Sequence, residues 1–180
     1  MSLHADALDV LTHWRAPTAE QEQLRASYAE HLREHHDGHW RSCFPAHLTA
    51  GALVLSHDRR HVLLNLHRKA GQWFHFGGHL EPQDASLAGA ALREGTEESG
   101  LRGLVVQGEP LHLSRHAVEF CDPRGTVDHL DVRFLAQLGS DVEPVVSGES
   151  LDVRWWPVDE LPTGAPDMVE MIELALKRWP

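Results

Sequence analysis

The stretch that most constrains this chain runs from Gly77 to Leu101, GGHLEPQDASLAGAALREGTEESGL. A short apolar run, Trp73 to Phe76, stops at two glycines, a polar loop follows, and residues 86–99 read as a helix. Arg93-Glu94-Gly95-Thr96-Glu97-Glu98 lies inside that helix. Glu94 is three residues from Glu97 and four from Glu98, so the three carboxylates share one face. Left alone, like charges so placed repel by about 0.2–0.5 kcal/mol per pair, and they crowd the half of the helix where the macrodipole is already negative. A divalent cation reverses that sign, because oxygen-rich, carboxylate-dominated sites suit Mg²⁺ or Mn²⁺. Gly77-Gly78 at the strand end lets a backbone carbonyl approach an ion with no side chain in the way. On the apolar side, Leu87, Ala91 and Leu92 are expected to face a core, with Ala90 and Gly95 small enough for close packing. Gly95 costs about 1 kcal/mol against Ala in a helix interior, which points to a packing reason for it. Gly100 suits the end of the helix.

Around this stretch the pattern is mixed. Leu8, Leu11, Leu24, Tyr28 and Leu32 recur at helical spacing over residues 5–36. Pro17 divides them into two helices, Thr18 caps the second, and Gln21 is placed as its capping-box partner. From His47 onward the chain reads as strands: 47–56 and 61–67 around an Asp58-Arg59-Arg60 turn, then 73–76, 104–113, 115–120, 127–138 and 153–156, with a last amphipathic helix over 166–179. The expected fold is α/β, with residues 1–42 a helical extension and 43–180 one domain. The extension has three open uses: packing on the domain, covering a cleft, or forming a homodimer contact.

Charge narrows the partners. The 180 residues carry 16 Lys and Arg against 27 Asp and Glu, a net −11, which argues against a protein that coats nucleic acid. Residues 81–98 contribute −4 and residues 141–160 contribute −5, so the surplus is local. Two distant cysteines, Cys43 and Cys121, exclude a disulfide scaffold and a Cys-based zinc ribbon and suit a reducing cytosol. No apolar run is long enough to span a membrane and the N-terminus does not read as a signal peptide; the expected location is the cytoplasm.

The stretch resembles the Nudix box, G-x5-E-x7-R-E-U-x-E-E-x-G-U with U aliphatic. Gly78, Arg93, Glu94, Glu97, Glu98, Gly100 and Leu101 fall in register, six of them within nine residues. Asp84 stands where the pattern has glutamate, one residue is inserted between it and Arg93, and Gly95 replaces the aliphatic. Asp84 is expected to cap the helix. The resemblance implies a Nudix-type α/β/α sandwich with a mixed sheet, and a Mg²⁺- or Mn²⁺-dependent enzyme that cleaves the pyrophosphate of a nucleoside diphosphate linked to another moiety. It implies Gly77, Glu94, Glu97 and Glu98 as metal ligands, with Glu97, Glu98, Arg93 and Glu149 as the catalytic set; Arg93 would hold the glutamates, and Glu149 would be the acid outside the box, ahead of Trp155. The alternative is a Nudix-fold nucleotide-binding or regulatory module with little catalysis, against which the intact carboxylates argue. The only tyrosine is Tyr28 and no proline stands near Ala117 and Val118, which speaks against the diadenosine polyphosphate and ADP-ribose subfamilies.

Fifteen histidines are in excess. His31, His35 and His39 have the i,i+4 spacing of a Zn²⁺ or Ni²⁺ site on a helix, with a plain helix end as the bland reading. His79 follows the glycines and is expected at the entrance to the site, while His116 and His129 are candidates to point into the cleft and His112 lies on a strand. Arg68 and Lys69 are either phosphate contacts or a solvated turn. Trp73, Trp155 and Trp156 are expected in the core.

Overall fold

A computed structural model describes residues 1–139, 142–146, 148 and 150–178. Two helices come first, α1 (Leu3–His13) and α2 (Ala19–Glu34). Strands β1 (Ala46–Leu55), β2 (His61–His67), β3 (Trp73–Phe74) and β4 (Phe76–His79) lead into α3 (Leu87–Ser99). Strands β5 (Val105–Asp122), β6 (Gly125–Gln137) and β7 (Ser150–Pro157) and helix α4 (Pro166–Arg178) complete the described chain. Thr18 caps α2 as expected, accepting from the Gln21 amide at 3.3 Å. The Gln21 side chain does something else. It is buried and bonds both ways with the Leu113 backbone, Nε2 to O at 2.9 Å and N to Oε1 at 2.7 Å, so it docks α2 on β5 rather than closing a capping box.

The sheet is mixed and runs β3-β2-β1-β6-β5, with β4 also paired to β1 and β7 to β2. Its centre is the parallel pair β1–β6, in register from Ala46↔Asp128 to Leu55↔Gln137. Alternation along β1 and β6 builds two layers. Leu48, Ala50, Ala52, Val54, Leu130, Val132 and Phe134 join α1, α2 and α3 in one apolar cluster, while Leu53, Leu55 and Leu135 pack with α4 on the other face. The two predicted strands 104–113 and 115–120 are one, β5. Register shifts beside Pro110 and between Val118 and Asp122 let a single 18-residue strand bend around β6. No described helix is long and apolar enough to cross a membrane.

In α3, Leu87, Ala90, Ala91 and Gly95 are buried, but Leu92 is 37% exposed and does not face the core. A Cβ on Gly95 would lie 3.4 Å from both Ala52 Cβ and Leu104 Cδ1, so the helix packs closely on β1 there with just enough room for a methyl. Ser86 caps the helix, accepting from Gly89 N at 3.0 Å, and Asp6 of α1 accepts from Leu87 N at 2.8 Å. Gly100 ends it at φ 68°.

Candidate active site

Strand β4 leaves β1 at the mouth of a cleft of about 460 Å³ lined by residues from β4, α3 and the segment before β1. Gly77 sits opposite Gly51 in the antiparallel β1–β4 ladder. Its amide donates to Glu98 Oε2 at 3.1 Å, away from β1. In an antiparallel ladder a residue whose N–H leaves its partner also turns its C=O outward, so the Gly77 carbonyl leaves β1 on the α3 side as well. A Cβ on Gly77 would meet Gly51 Cα at 2.9 Å, and one on Gly51 would meet His75 Nε2 at 2.7 Å and Phe76 O at 2.8 Å, so neither position has room for a side chain. A Cβ on Gly78 would fall 2.6 Å from Glu94 Oε1, so that glycine clears the place the carboxylate occupies.

All three helix carboxylates line the cleft, as does Arg93. Glu98 is 7% exposed and also accepts from Asn65 Nδ2 at 3.3 Å. Glu97 is outermost, its side chain 62% exposed. Arg93 is the hub. It meets Asp84 with two parallel bonds, Nε to Oδ1 at 3.0 Å and Nη2 to Oδ2 at 2.9 Å, and reaches Glu94 Oε1 at 2.8 Å, Glu97 Oε2 at 3.4 Å and the His79 carbonyl at 3.0 Å. The Asp84 carboxylate, followed by Glu94, drives the Arg93 guanidinium further toward its charged form. Asp84 is therefore not the helix cap, which is Ser86; its carboxylate binds Arg93 and accepts from Glu81 N at 2.8 Å. Helix α3 runs from Leu87 to Ser99 and contains Glu94, Glu97 and Glu98, so their i,i+3 and i,i+4 phase is intact.

Glu149 lies outside the described residues. Arg68, in contrast, is accounted for: it donates to the carbonyls of Gly148 at 3.1 Å and Ser150 at 3.1 Å and so ties the β2–β3 turn to the start of β7. Arg41 also lines the cleft, a cation that the sequence reading passed over because it stands in an irregular segment with no motif around it. Trp73, Trp155 and Trp156 are only partly buried and pack against the apolar clusters rather than within them.

The histidines are distributed differently from the sequence expectation. His79 lines the cleft, but His116 and His129 are not among its lining residues. His129 turns instead toward His47, His79 and Cys121. His112 is buried on the α4 side, 3.6 Å from Glu170. His31, His35 and His39 do not converge: the His31 ring packs on His35 and that of His39 on Trp40.

A family model described as "NUDIX domain" matches residues 45–175. The NUDIX domain of Shewanella oneidensis NrtR, solved with ADP ribose, is 26% identical, with a TM-score of 0.57 over 74% of this chain and 88% of that one. A NUDIX-family hydrolase of Clostridium perfringens is 20% identical, with a TM-score of 0.54 over 73% of this chain and 97% of that one. The E. coli dihydroneopterin triphosphate pyrophosphohydrolase is 14% identical, with a TM-score of 0.57 over 72% and 95%. No protein of curated function matches.

Proposed function

This chain belongs to the NUDIX domain family, and from that premise we propose that it is a divalent-metal-dependent hydrolase that splits the pyrophosphate bond of a nucleoside diphosphate derivative. One observation carries the reading: Glu94, Glu97 and Glu98 of α3 line one cleft with Gly77 and Gly78 of β4, and Arg93 holds Glu94 and Glu97. The donor set suits a hard cation, since carboxylate and carbonyl oxygens with no sulfur or imidazole among them favour Mg²⁺ or Mn²⁺ over softer metals. Glu94, Glu97, Glu98 and the Gly77 carbonyl would hold the metal. Bound there, it would neutralise the diphosphate and acidify a water.

The chain's own residues do the positioning. Asp84 fixes Arg93, and Arg93 fixes Glu94 and Glu97. The Gly77 amide and Asn65 orient the Glu98 carboxylate. Arg41 supplies a cation at the cleft wall for a phosphate of the substrate. Glu149 is proposed as the base that orients the water, carried on a segment that Arg68 grips at Gly148 and Ser150. The protein is assigned to the cytosol on the strength of its two free thiols.

The test is a panel of nucleoside triphosphates, sugar nucleotides and dinucleotides with Mg²⁺ or Mn²⁺. Release of a nucleoside monophosphate is expected, with Glu98→Gln lowering turnover by about two orders of magnitude or more. Full activity in Glu98→Gln sinks that residue's role. Tight binding with no turnover across the panel replaces the enzyme with a nucleotide-binding module.

A further inference from the structure

Four side chains outside the helix carboxylates converge just behind β4. His47 is on β1, His79 at the end of β4, Cys121 on β5 and His129 on β6. One donor atom from each lies within 4.8 Å of the others. Cys121 Sγ is 3.3 Å from His129 Nε2, 3.4 Å from His79 Nε2 and 3.9 Å from His47 Nε2. The rings of His47, His79 and His129 stand 5.1 Å apart, centroid to centroid, in all three pairings. His47 is fully buried and Cys121 is 7% exposed.

Hydrogen bonding alone does not account for this group. The His47 Nδ1 faces the Cys43 carbonyl at 3.1 Å. A carbonyl only accepts, so the ring proton sits on Nδ1 and Nε2 presents a lone pair to the cluster. A thiol has one proton to offer three nitrogens, and no carboxylate belongs to the group. A cation in the middle satisfies every lone pair at once.

The spacing fits one. Tetrahedral zinc with bonds of about 2.3 Å to sulfur and 2.0–2.1 Å to nitrogen sets sulfur and nitrogen about 3.6 Å apart, and the three observed distances straddle that value. The His47 Nδ1 bond to Cys43 O is the outer contact that orients a metal-bound imidazole. We propose that His47, His79, Cys121 and His129 form a tetrahedral zinc site, separate from the carboxylate site of the cleft. Four protein donors leave no open position, so the ion is structural. It clamps β1, β4, β5 and β6 at the edge of the cleft. His79 belongs to both neighbourhoods, because its carbonyl accepts from Arg93. Holding its ring therefore fixes the strand end that presents Gly77 and Gly78.

The test is the metal content of the full chain, produced with zinc and dialysed into magnesium buffer without chelator. About one zinc per chain is expected, retained in Glu98→Gln and lost in Cys121→Ser/His129→Ala. Because that double variant can fail to fold, the wild-type protein is also stripped and reloaded with Co²⁺. A thiolate-to-cobalt charge-transfer band and tetrahedral visible absorption are expected, with magnesium at excess leaving both in place. A wild-type protein with neither zinc nor the cobalt bands overturns the site, as does a folded double variant that keeps its zinc.

Discussion

Asp84 stands where the Nudix pattern has glutamate, and its partners show what a shorter acid does there. Its carboxylate is 4% exposed and grips Arg93 with two bonds, so the shorter chain still reaches the guanidinium that orients Glu94 and Glu97. Asp84→Ala leaves that cation half-buried without its main partner and is expected to cost about 3 kcal/mol in urea denaturation, with a loss of turnover. The two glycines of β4 separate stability from function. A methyl on Gly77 meets the backbone of Gly51 and Ala50, which cannot move aside alone, so Gly77→Ala is expected to destabilise by about 2 kcal/mol. The nearest atoms to a methyl on Gly78 are those at the end of the Glu94 side chain. Gly78→Ala is expected to unfold almost like the parent but to need a higher metal concentration for half-maximal turnover. Equal losses of stability in the two variants would refute the distinction.

At the level of elements, α1 and α2 are bolted to the strands and to the candidate catalytic helix through single side chains. Asp6 caps α3 and Gln21 satisfies both backbone groups of Leu113. Gln21→Ala strands a buried N–H and a buried C=O and is expected to cost about 2 kcal/mol, read as a drop in denaturation midpoint with an unchanged slope. The helices, most strand positions and α3 were legible in the sequence, because helical and alternating periods are local signals. The Arg93-Glu94-x-x-Glu97-Glu98 face was legible for the same reason: its geometry needs only one helix. What stayed hidden is non-local. Nothing near Gln21 says that its amide serves a strand 92 residues on. His47, His79, Cys121 and His129 have no motif spacing, since strand pairing rather than chain proximity gathers them. Continuity of β5 was missed because the reading ended one strand at Leu113 and began the next at Arg115, whereas the ladder with β6 runs through Ser114 without a break.

For the molecule as a whole, the sheet face toward α4 buries charge. Asp131 accepts from Thr49 and pairs with Arg133 and His75, and Arg133 reaches Asp167 of α4 at 2.8 Å. Burial would raise the Asp131 carboxyl, but Arg133 and His75 overrule it and hold it well below the usual carboxylate range. Burial, with Arg133 close by, lowers the His112 imidazole from 6.5 to about 4; Glu170 is 3.6 Å away but 43% exposed, too solvated to offset this. Below pH 6.5 the unfolded His112 takes a proton that the folded one refuses, so its contribution is lost as pH falls toward 4, on the order of 3 kcal/mol in full. Asp131 works in the same direction at lower pH, its contribution being lost only as pH drops through its depressed value. Urea midpoints are expected to fall between pH 7 and pH 4.5, and His112→Gln to flatten that slope; an unchanged slope refutes the assignment.

The parallel pairing of β1 with β6 also sets a timetable. Thr49 and Asp131, joined by a hydrogen bond, are 82 residues apart, and the apolar cluster that α1 and α2 share with β1 also needs Leu113 of β5 and Leu130, Val132 and Phe134 of β6. Local contacts cannot assemble this core from the N-terminus forward, and chains rich in such distant contacts fold slowly, over milliseconds to seconds. On the ribosome, α1 and α2 can pack on each other and on β1 before the rest of their cluster exists. That cluster closes only when β6 leaves the exit tunnel and pairs with β1.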